Sequence, residues 1–511
     1  MKHLIPEAKN ALLCLGMICL AITWPAATRA QEAKVNESVI ELGTRREIFV
    51  DHHLIERLNG ARLVLHQPRD EGMIFKFDQP WEGNDGIYAA VIKDGSKYRF
   101  YYRVQTQPNK GDTDPNQAIC YAESPDGINW TKPELGLYEA AGSKKNNIVF
   151  MTQLPVCNNF TPFLDTRPGC PAGERFKALG GYRSLGLFAY VSEDGIAWRK
   201  IRENKDPLQE AVIKKGQGRF DSQNSAFWSE AEGKYVCYLR ESLGGSYRWI
   251  ARTTSPDFLE WTPAELMEAR CNDKAAPPEH LYTNQTHPYF RAPHIYIAIA
   301  ARFMQGRSAV TPEQLEPIYR GADKPAPAWI SKDCSEAVFM TSRGGNLYDR
   351  TFMEAFIRPP IGFENWTSRA NYPALNVVQT GPAEMSFYVH RSYTQPGAHM
   401  RRYSLRLAGF ASIQAPYDGG EVLTRVLTFS GRQLRLNYST GAAGGIRVEI
   451  QTADGRPVPG FSLKESRELL GNEIEGTAAW TGSGELAGLA GTPIRLRFVM
   501  KDADIYALRF E

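Results

Sequence analysis

Ser124-Pro125-Asp126-Gly127-Ile128-Asn129-Trp130 returns as Ser192-Glu193-Asp194-Gly195-Ile196-Ala197-Trp198 and again, with phenylalanine in place of glycine, as Ser255-Pro256-Asp257-Phe258-Leu259-Glu260-Trp261. Copies spaced about sixty to seventy residues apart, one supersecondary unit each, mark a repeat architecture rather than a single wound sheet. A strand-like run leads into every copy: Tyr121-Ala122-Glu123-Ser124, Ala189-Tyr190-Val191-Ser192 and Arg252-Thr253-Thr254-Ser255. The Asp-Gly pair then supplies a tight turn, and the tryptophan is placed to pack between neighbouring units. The boxes are therefore read as structural, each closing one four-stranded blade.

Working outward, the hairpin Ile87 to Lys93, Asp94-Gly95, Tyr98 to Arg103, completed by Gln117 to Ser124, is the first unit. Phe160 to Ser192 and Asn224 to Ser255 hold the second and third. His287 to Ser342 forms the fourth, interrupted by a polar, proline-rich insertion from about Gly306 to Lys332, and Met385 to Arg406 the fifth. Glu47 to Asp51 reads as a strand that closes the ring against the last unit. Beyond Ser412 the texture changes to alternating apolar and polar runs between glycine-rich turns, as in a half-exposed antiparallel sandwich. The expected fold is all-β: a five-bladed β-propeller over residues 47–411 and a C-terminal antiparallel β-sandwich over 412–511, which either holds a glycan or caps the propeller.

A chain of 511 residues exceeds one ordinary core, which agrees with that division. Its charge is nearly balanced at +3 without a basic run, so nucleic acid is not an expected partner. Residues 1–30 have the form of a cleavable export signal: Lys2 and Lys9, an apolar stretch from Ala11 to Ile22, then Thr28-Arg29-Ala30 before Gln31, with 31–46 as linker. The apolar stretch is short for a membrane span, and a secreted or periplasmic protein is expected. Cys14 and Cys19 would leave with the signal. Six cysteines remain; Cys157 and Cys170 flank one loop where a disulfide is permitted, while Cys120 and Cys237 sit in apolar strands as buried thiols. The absence of a Cys-x-x-Cys or His/Cys cluster in the sequence predicts neither a metal nor another cofactor.

In a propeller the inner strands converge on one channel, so residues at their starts face one another. Acids occur at such positions: Asp85 after Trp81, Asp221 before Gln223 and Asn224, Glu279 before His280, Asn284 and His287, and Glu384 in Gly381-Pro382-Ala383-Glu384. Glycosidic cleavage requires two carboxyls, one protonating the leaving oxygen and one activating water or attacking carbon. Asp221, Glu279 and Asp85 are the catalytic candidates, with Glu279 as proton donor. Trp81, Gln223, Asn224, Arg240, His280, Asn284, His287 and Glu384 are the candidates for substrate binding. Phe220 to Trp228 stands out because it puts acid and amide side chains at the start of an otherwise apolar strand. Asp51, beside His52 and His53, is a further acid, though inward charge on an edge strand also guards against aggregation.

The repeated Ser-x-Asp-Gly-x-x-Trp boxes, the blades and the acids at inner-strand starts resemble the five-bladed propeller glycoside hydrolases of families 32, 43 and relatives. By position, that resemblance implies Asp85 as base or nucleophile, Asp221 as the stabilising acid and Glu279 as the proton donor, acting on an oligo- or polysaccharide. The sequence departs from the invertase pattern: Asp114-Pro115-Asn116 imitates only part of its opening motif, and Arg69-Asp70 is followed by Glu71 rather than proline. A fructan or sucrose substrate is thus not implied. Sialidases also carry Asp boxes, but with one more residue between Asp and Gly. A propeller that captures a sugar without cleaving it, or one that docks partners on its loops, would use similar residues; several acids crowded into one channel favour catalysis, because like charges split their proton affinities.

Overall fold

The computed structural model describes residues 39–84, 86–106, 117–152, 154–204, 206–322, 325–482 and 484–511. The expected export signal, residues 31–38 of the expected linker, Asp85 and the Asp114-Pro115-Asn116 stretch lie outside them. Five mainly antiparallel sheets follow one another along the chain. The first contains Ile87–Asp94, Lys97–Gln105, Gln117–Ser124 and Ile148–Met151. Thr161–Leu164, Phe176–Tyr182, Gly186–Ser192 and Arg199–Lys200 build the second, and Ser225–Ser229, Lys234–Leu243, Tyr247–Ser255 and Glu265–Leu266 the third. The fourth is centred on His287–Tyr289, Ala292–Met304 and Cys334–Ser342; the fifth on Tyr372–Pro373, Val378–Gln379, Glu384–Arg391 and His399–Arg406.

The first strands of sheets one to four touch in order, and the first strand of sheet five reaches Ala292–Met304 and Cys334–Ser342 of sheet four on one side and the first strand of sheet one on the other. Ala90 bridges Leu375 in the parallel sense where that circle closes. The arrangement is propeller-like. Period-two alternation makes it possible, since each strand feeds two interfaces. In Lys97–Gln105, Phe100, Tyr102 and Val104 join the core shared with sheet five, whereas Tyr101 joins the core shared with sheet two.

Each repeated box joins the third strand of a sheet to its fourth rather than closing the sheet. Asp126 Oδ1 accepts the amides of Ile128 and Asn129, both at 2.8 Å, and Asp194 and Asp257 do the same for their own loops. The position after aspartate is left-handed in all three, φ 73°, 73° and 71°, and Phe258 adopts it where the other copies have glycine. The box carbonyls also tie sheets together: Gly195 O accepts Tyr101 Oη at 3.0 Å and Gly127 O accepts Tyr388 Oη at 2.5 Å. Trp130 packs edge-on against Phe100 and Tyr388.

The expectation about the ring's closure is corrected. Arg69–Lys76, not Glu47 to Asp51, supplies the outer strand of sheet five, pairing with His399–Arg406. Glu47–Ile48 pairs instead with Leu508 and Ala507 in a ten-stranded sheet. That sheet combines Ile40–Gly43, Ile55–Asn59 and Arg62–Leu65 with the strands from Ala411 onward, and Ile40–Gly43 runs parallel to Leu427–Phe429. Its long strands Leu434–Thr452 and Ile494–Phe510 are interrupted by bulges and enclose a core including Leu42, Phe49, Val448 and Phe498. Asp51 proves structural: Arg343 pairs with it at 2.8 Å and with Glu47 at 3.0 Å, and His294 pairs with Glu47 at 2.8 Å.

Cys120, Cys157 and Cys237 are buried, and all six described cysteines, Cys157 and Cys170 included, are free thiols. Burial pushes the Cys157 thiol up to about 12. Among the described residues no helix is long and apolar enough to cross a membrane, and no group of His, Cys, Asp and Glu could hold a metal ion.

Candidate active site at the mouth of the ring

The first strands of the five sheets start on one side of the ring, and the backbone there is strained. Among the described residues fourteen non-glycine positions have positive φ, and seven lie at this end: Tyr88, Phe220, Gln285, Arg369, Asn371, Ser392 and Thr394, between 48° and 69°. Such a conformation costs about 1–3 kcal/mol per residue and persists only where surroundings impose it, which is characteristic of functional sites. Buried amides brace the floor. Gln223 Nε2 donates to Ala89 O at 3.0 Å, linking sheets three and one, and its Oε1 accepts Gln285 Nε2 from sheet four. Asn159 donates to Phe220 O, Asn224 donates to Ser222 O at 3.0 Å, and Asn284 Oδ1 accepts Thr286 N at 3.0 Å.

Asp221 stands on this floor, its side chain 35 % exposed beside the buried Arg240. The pair is separated by 3.5 Å between Arg240 Nη1 and Asp221 Oδ1. Oδ1 is occluded and accepts no hydrogen bond, and no described residue donates to Oδ2. Arg240 itself is fixed by donating to Tyr282 O and by lying 4.7 Å above the Tyr282 ring. Tyr88, Tyr372 and Tyr393 with Ile87 and Ala301 form the buried wall, against which Tyr282 and Trp329 pack. Burial pushes the Tyr372 hydroxyl well above the usual phenol range, so it is a neutral donor; its oxygen has no partner among the described residues. Trp329 comes from the proline-rich insertion, whose helix Pro312–Tyr319 begins at a Thr311–Gln314 capping box.

Glu279 is differently placed. Its Oε1 accepts Arg302 Nη1 at 2.5 Å and its Oε2 accepts Arg350 Nη1 at 2.6 Å, in the strand-edge segment beside Ala292–Met304. Both oxygens are thus committed to guanidiniums and neither is left for a leaving group, so the geometry does not support the donor role. Glu384 is corrected as well: it starts the second strand of sheet five, whose first strand pairs Tyr372 with His390 at the opposite end, so Glu384 lies away from the mouth. There it binds Thr380 and Arg402, each at 2.8 Å.

Of the expected binding residues, Arg240 accompanies Asp221, while Gln223, Asn224 and Asn284 are floor braces. His287 is deeper. Its Nδ1 pairs with Gln285 O at 2.8 Å and its Nε2 accepts Val377 N at 3.1 Å, and burial pushes its pKa down to about 4 despite the Gln285 bond. It is a neutral tie between sheets four and five. Trp81 donates to Asn147 at 2.8 Å within the core of sheet one, and His280 accepts Arg248 N at 3.2 Å beside the Tyr247 ring. The sequence reading missed Arg369, Tyr372, Tyr393 and Trp329. No local pattern marks them; their one signal is a polar arginine and asparagine flanking Ala370 ahead of a short apolar strand.

No known family profile matches the chain. Two curated relatives from Mycobacterium tuberculosis, both named uncharacterized proteins, match it: Rv1502 at 24 % identity over 142 residues and MT1551 at 23 % over 136. Each match spans 27 % of this chain and 38 % of the relative. Among solved structures, a protein named glycoside hydrolase aligns over 66 % of this chain and 92 % of its own, at 11 % identity and TM-score 0.41. An N-acetylgalactosamine deacetylase from F. plautii in complex with blood group B trisaccharide aligns over 68 % and 96 %, at 11 % identity and TM-score 0.41. A fructofuranosidase from Schwanniomyces occidentalis complexed with fructosylnystose aligns over 85 % and 96 %, at 11 % identity and TM-score 0.36.

Proposed function

We propose that the protein is an exported glycosidase whose ring of five sheets is a five-bladed propeller and whose mouth binds a sugar over Asp221. The observation that carries this reading is the state of Asp221. It is a partly open carboxylate that accepts no hydrogen bond from a described residue, held near a fixed guanidinium on a floor of buried amides and beside tyrosine and tryptophan rings. Aromatic faces suit the apolar faces of sugar rings, and a carboxylate without a committed partner is available to a water or to a substrate hydroxyl. Arg240 lies 3.5 Å from Asp221 and holds it facing the mouth, which fits a base, nucleophile or charge stabiliser. Asp85, two residues before the start of the sheet-one strand at Ile87, is the second carboxyl in this proposal by its chain position alone. Its separation from Asp221 would decide between inversion and retention.

The engagement of Glu279 by two arginines favours a second reading, in which the mouth captures a glycan without cleaving it. One experiment separates the two. A panel of aryl glycosides and natural oligosaccharides is incubated with the full chain, and aryl release and reducing ends are followed. Turnover abolished by Asp221→Asn supports the glycosidase; sugar binding measured by calorimetry with no turnover across the panel would refute it in favour of the binding protein.

A further inference from the structure

Three guanidiniums converge on one tyrosine ring at the mouth. The Cζ atoms of Arg240, Arg248 and Arg369 lie 4.7, 5.4 and 5.6 Å from the centre of the Tyr282 ring. Arg240 is answered by Asp221, and Arg248 donates to Gln305 at 3.0 Å. Arg369 is different. Its Cζ sits 4.3 Å above Trp329, its Nε is buried without a partner, and its guanidinium makes no hydrogen bond or ion pair with any described residue. The face of an aromatic ring holds a cation in place but does not neutralise it.

The chain takes trouble to present this side chain. Arg369 is left-handed at φ 58°, between Ser368 and Ala370, both buried. Ser368 N donates to Ile330 O at 2.8 Å, Ser335 donates to Ala370 O, and Asn371 donates to Ser335 O at 3.2 Å and Asn365 O at 3.0 Å. These bonds clamp the backbone on both sides of Arg369 and fix where its side chain starts. A planar guanidinium fixed beside rings and lacking a carboxylate matches two oxygens of a planar or tetrahedral anion.

We propose that Arg369 selects glycans carrying a negative charge, taking the carboxylate of a uronic acid or the oxygens of a sulfate substituent while Tyr282 and Trp329 flank the sugar. This rests on the reading of the mouth as a sugar site and names its substrate class. Calorimetric titration of the full chain with methyl glucuronide, methyl galacturonide and galactose 6-sulfate, against their neutral parents, tests it. At least one acidic sugar is expected to bind about tenfold or more tighter than its neutral parent, as loss of a charge-assisted bidentate contact would require. Arg369→Gln should erase that preference at an unchanged melting temperature, and Arg369→Lys, which keeps the charge but not the fork, should restore part of it. Equal binding of acidic and neutral sugars, or a preference that survives Arg369→Gln, would overturn the proposal. So would Arg369-dependent binding of inorganic phosphate or sulfate as tight as that of the acidic sugars, because the occupant would then be a free anion. Acidic preference without turnover would leave this inference standing and sink the glycosidase; turnover of neutral glycosides without any preference would do the reverse.

Discussion

Replacing Asp221 by asparagine separates chemistry from folding. The substitution keeps the shape of the side chain and removes one ionisable oxygen, so what changes is the attraction to Arg240 across 3.5 Å and the capacity to hold or move a proton. The stability term is small. Asp221 is 35 % exposed, and an ion pair of that kind contributes about 0–1 kcal/mol. Arg240 retains the Tyr282 carbonyl and the ring 4.7 Å below it, so its guanidinium is not stranded. The melting temperature should fall by about 2 °C or less. The kinetic term is large: losing a general base or charge stabiliser costs roughly 10²–10⁴ in rate, which is about 3–5 kcal/mol of barrier. Differential scanning fluorimetry paired with turnover on whichever glycoside the wild type cleaves best reads both quantities from one preparation. Turnover retained at the wild-type level would refute the reasoning and leave Asp221 as a turn residue. A collapse in melting temperature matching the loss of activity would refute it from the other side.

Glu279→Gln should instead be a stability variant: Arg350, 2 % exposed at its side chain, loses its carboxylate, and breaking a buried pair of this kind costs roughly 3–5 kcal/mol, visible as a shifted urea midpoint with turnover per folded molecule kept. The two buried histidines predict acid sensitivity. Because burial pushes His287 from 6.5 to about 4, the unfolded chain binds its proton more readily; the stabilisation is complete above about pH 6.5 and disappears as pH falls towards 4, about 3 kcal/mol in all. Burial pushes His390 to about 3, which adds in the same direction. Urea midpoints at pH 7.5 and 4.5 should differ, and His287→Gln should narrow the difference. A fragment of residues 412–511 should stay unfolded by circular dichroism, since Ile40–Gly43, Glu47–Ile48, Ile55–Asn59 and Arg62–Leu65 supply strands of the same sheet; a folded fragment would show those strands to be dispensable. Gly195→Ala should cost about 2–3 kcal/mol, because alanine is disfavoured at φ 73° and its Cβ would come 2.5 Å from the Tyr101 hydroxyl that bonds Gly195 O, which thermal unfolding would measure.

By itself the sequence determined whatever depends on neighbours along the chain. The Asp boxes were legible because their carboxylates serve amides two and three residues ahead, and the strands because alternation of side chains is a local property of extended backbone. For the same reason Asp221 was legible as an anomaly: an acid followed by amides at the start of an apolar strand conflicts with burial over five residues. The tertiary structure alone decided what depends on partners far away. Asp70 finds Arg401 across 331 residues when Arg69–Lys76 completes sheet five, and residues 40–65 join the last hundred in one sheet. Nothing local distinguishes such an edge strand from one that closes elsewhere, since hydrogen-bonding groups of any extended segment are alike. Glu279 and Asp221 likewise both stand ahead of strands, and nothing in the sequence tells which of them stays available. They differ because folding brings two arginines, 23 and 71 residues distant, onto the oxygens of one and leaves the other facing a single guanidinium 3.5 Å away. A carboxylate's chemistry is set by the charges and donors within a few ångströms of it, and those are chosen by the fold.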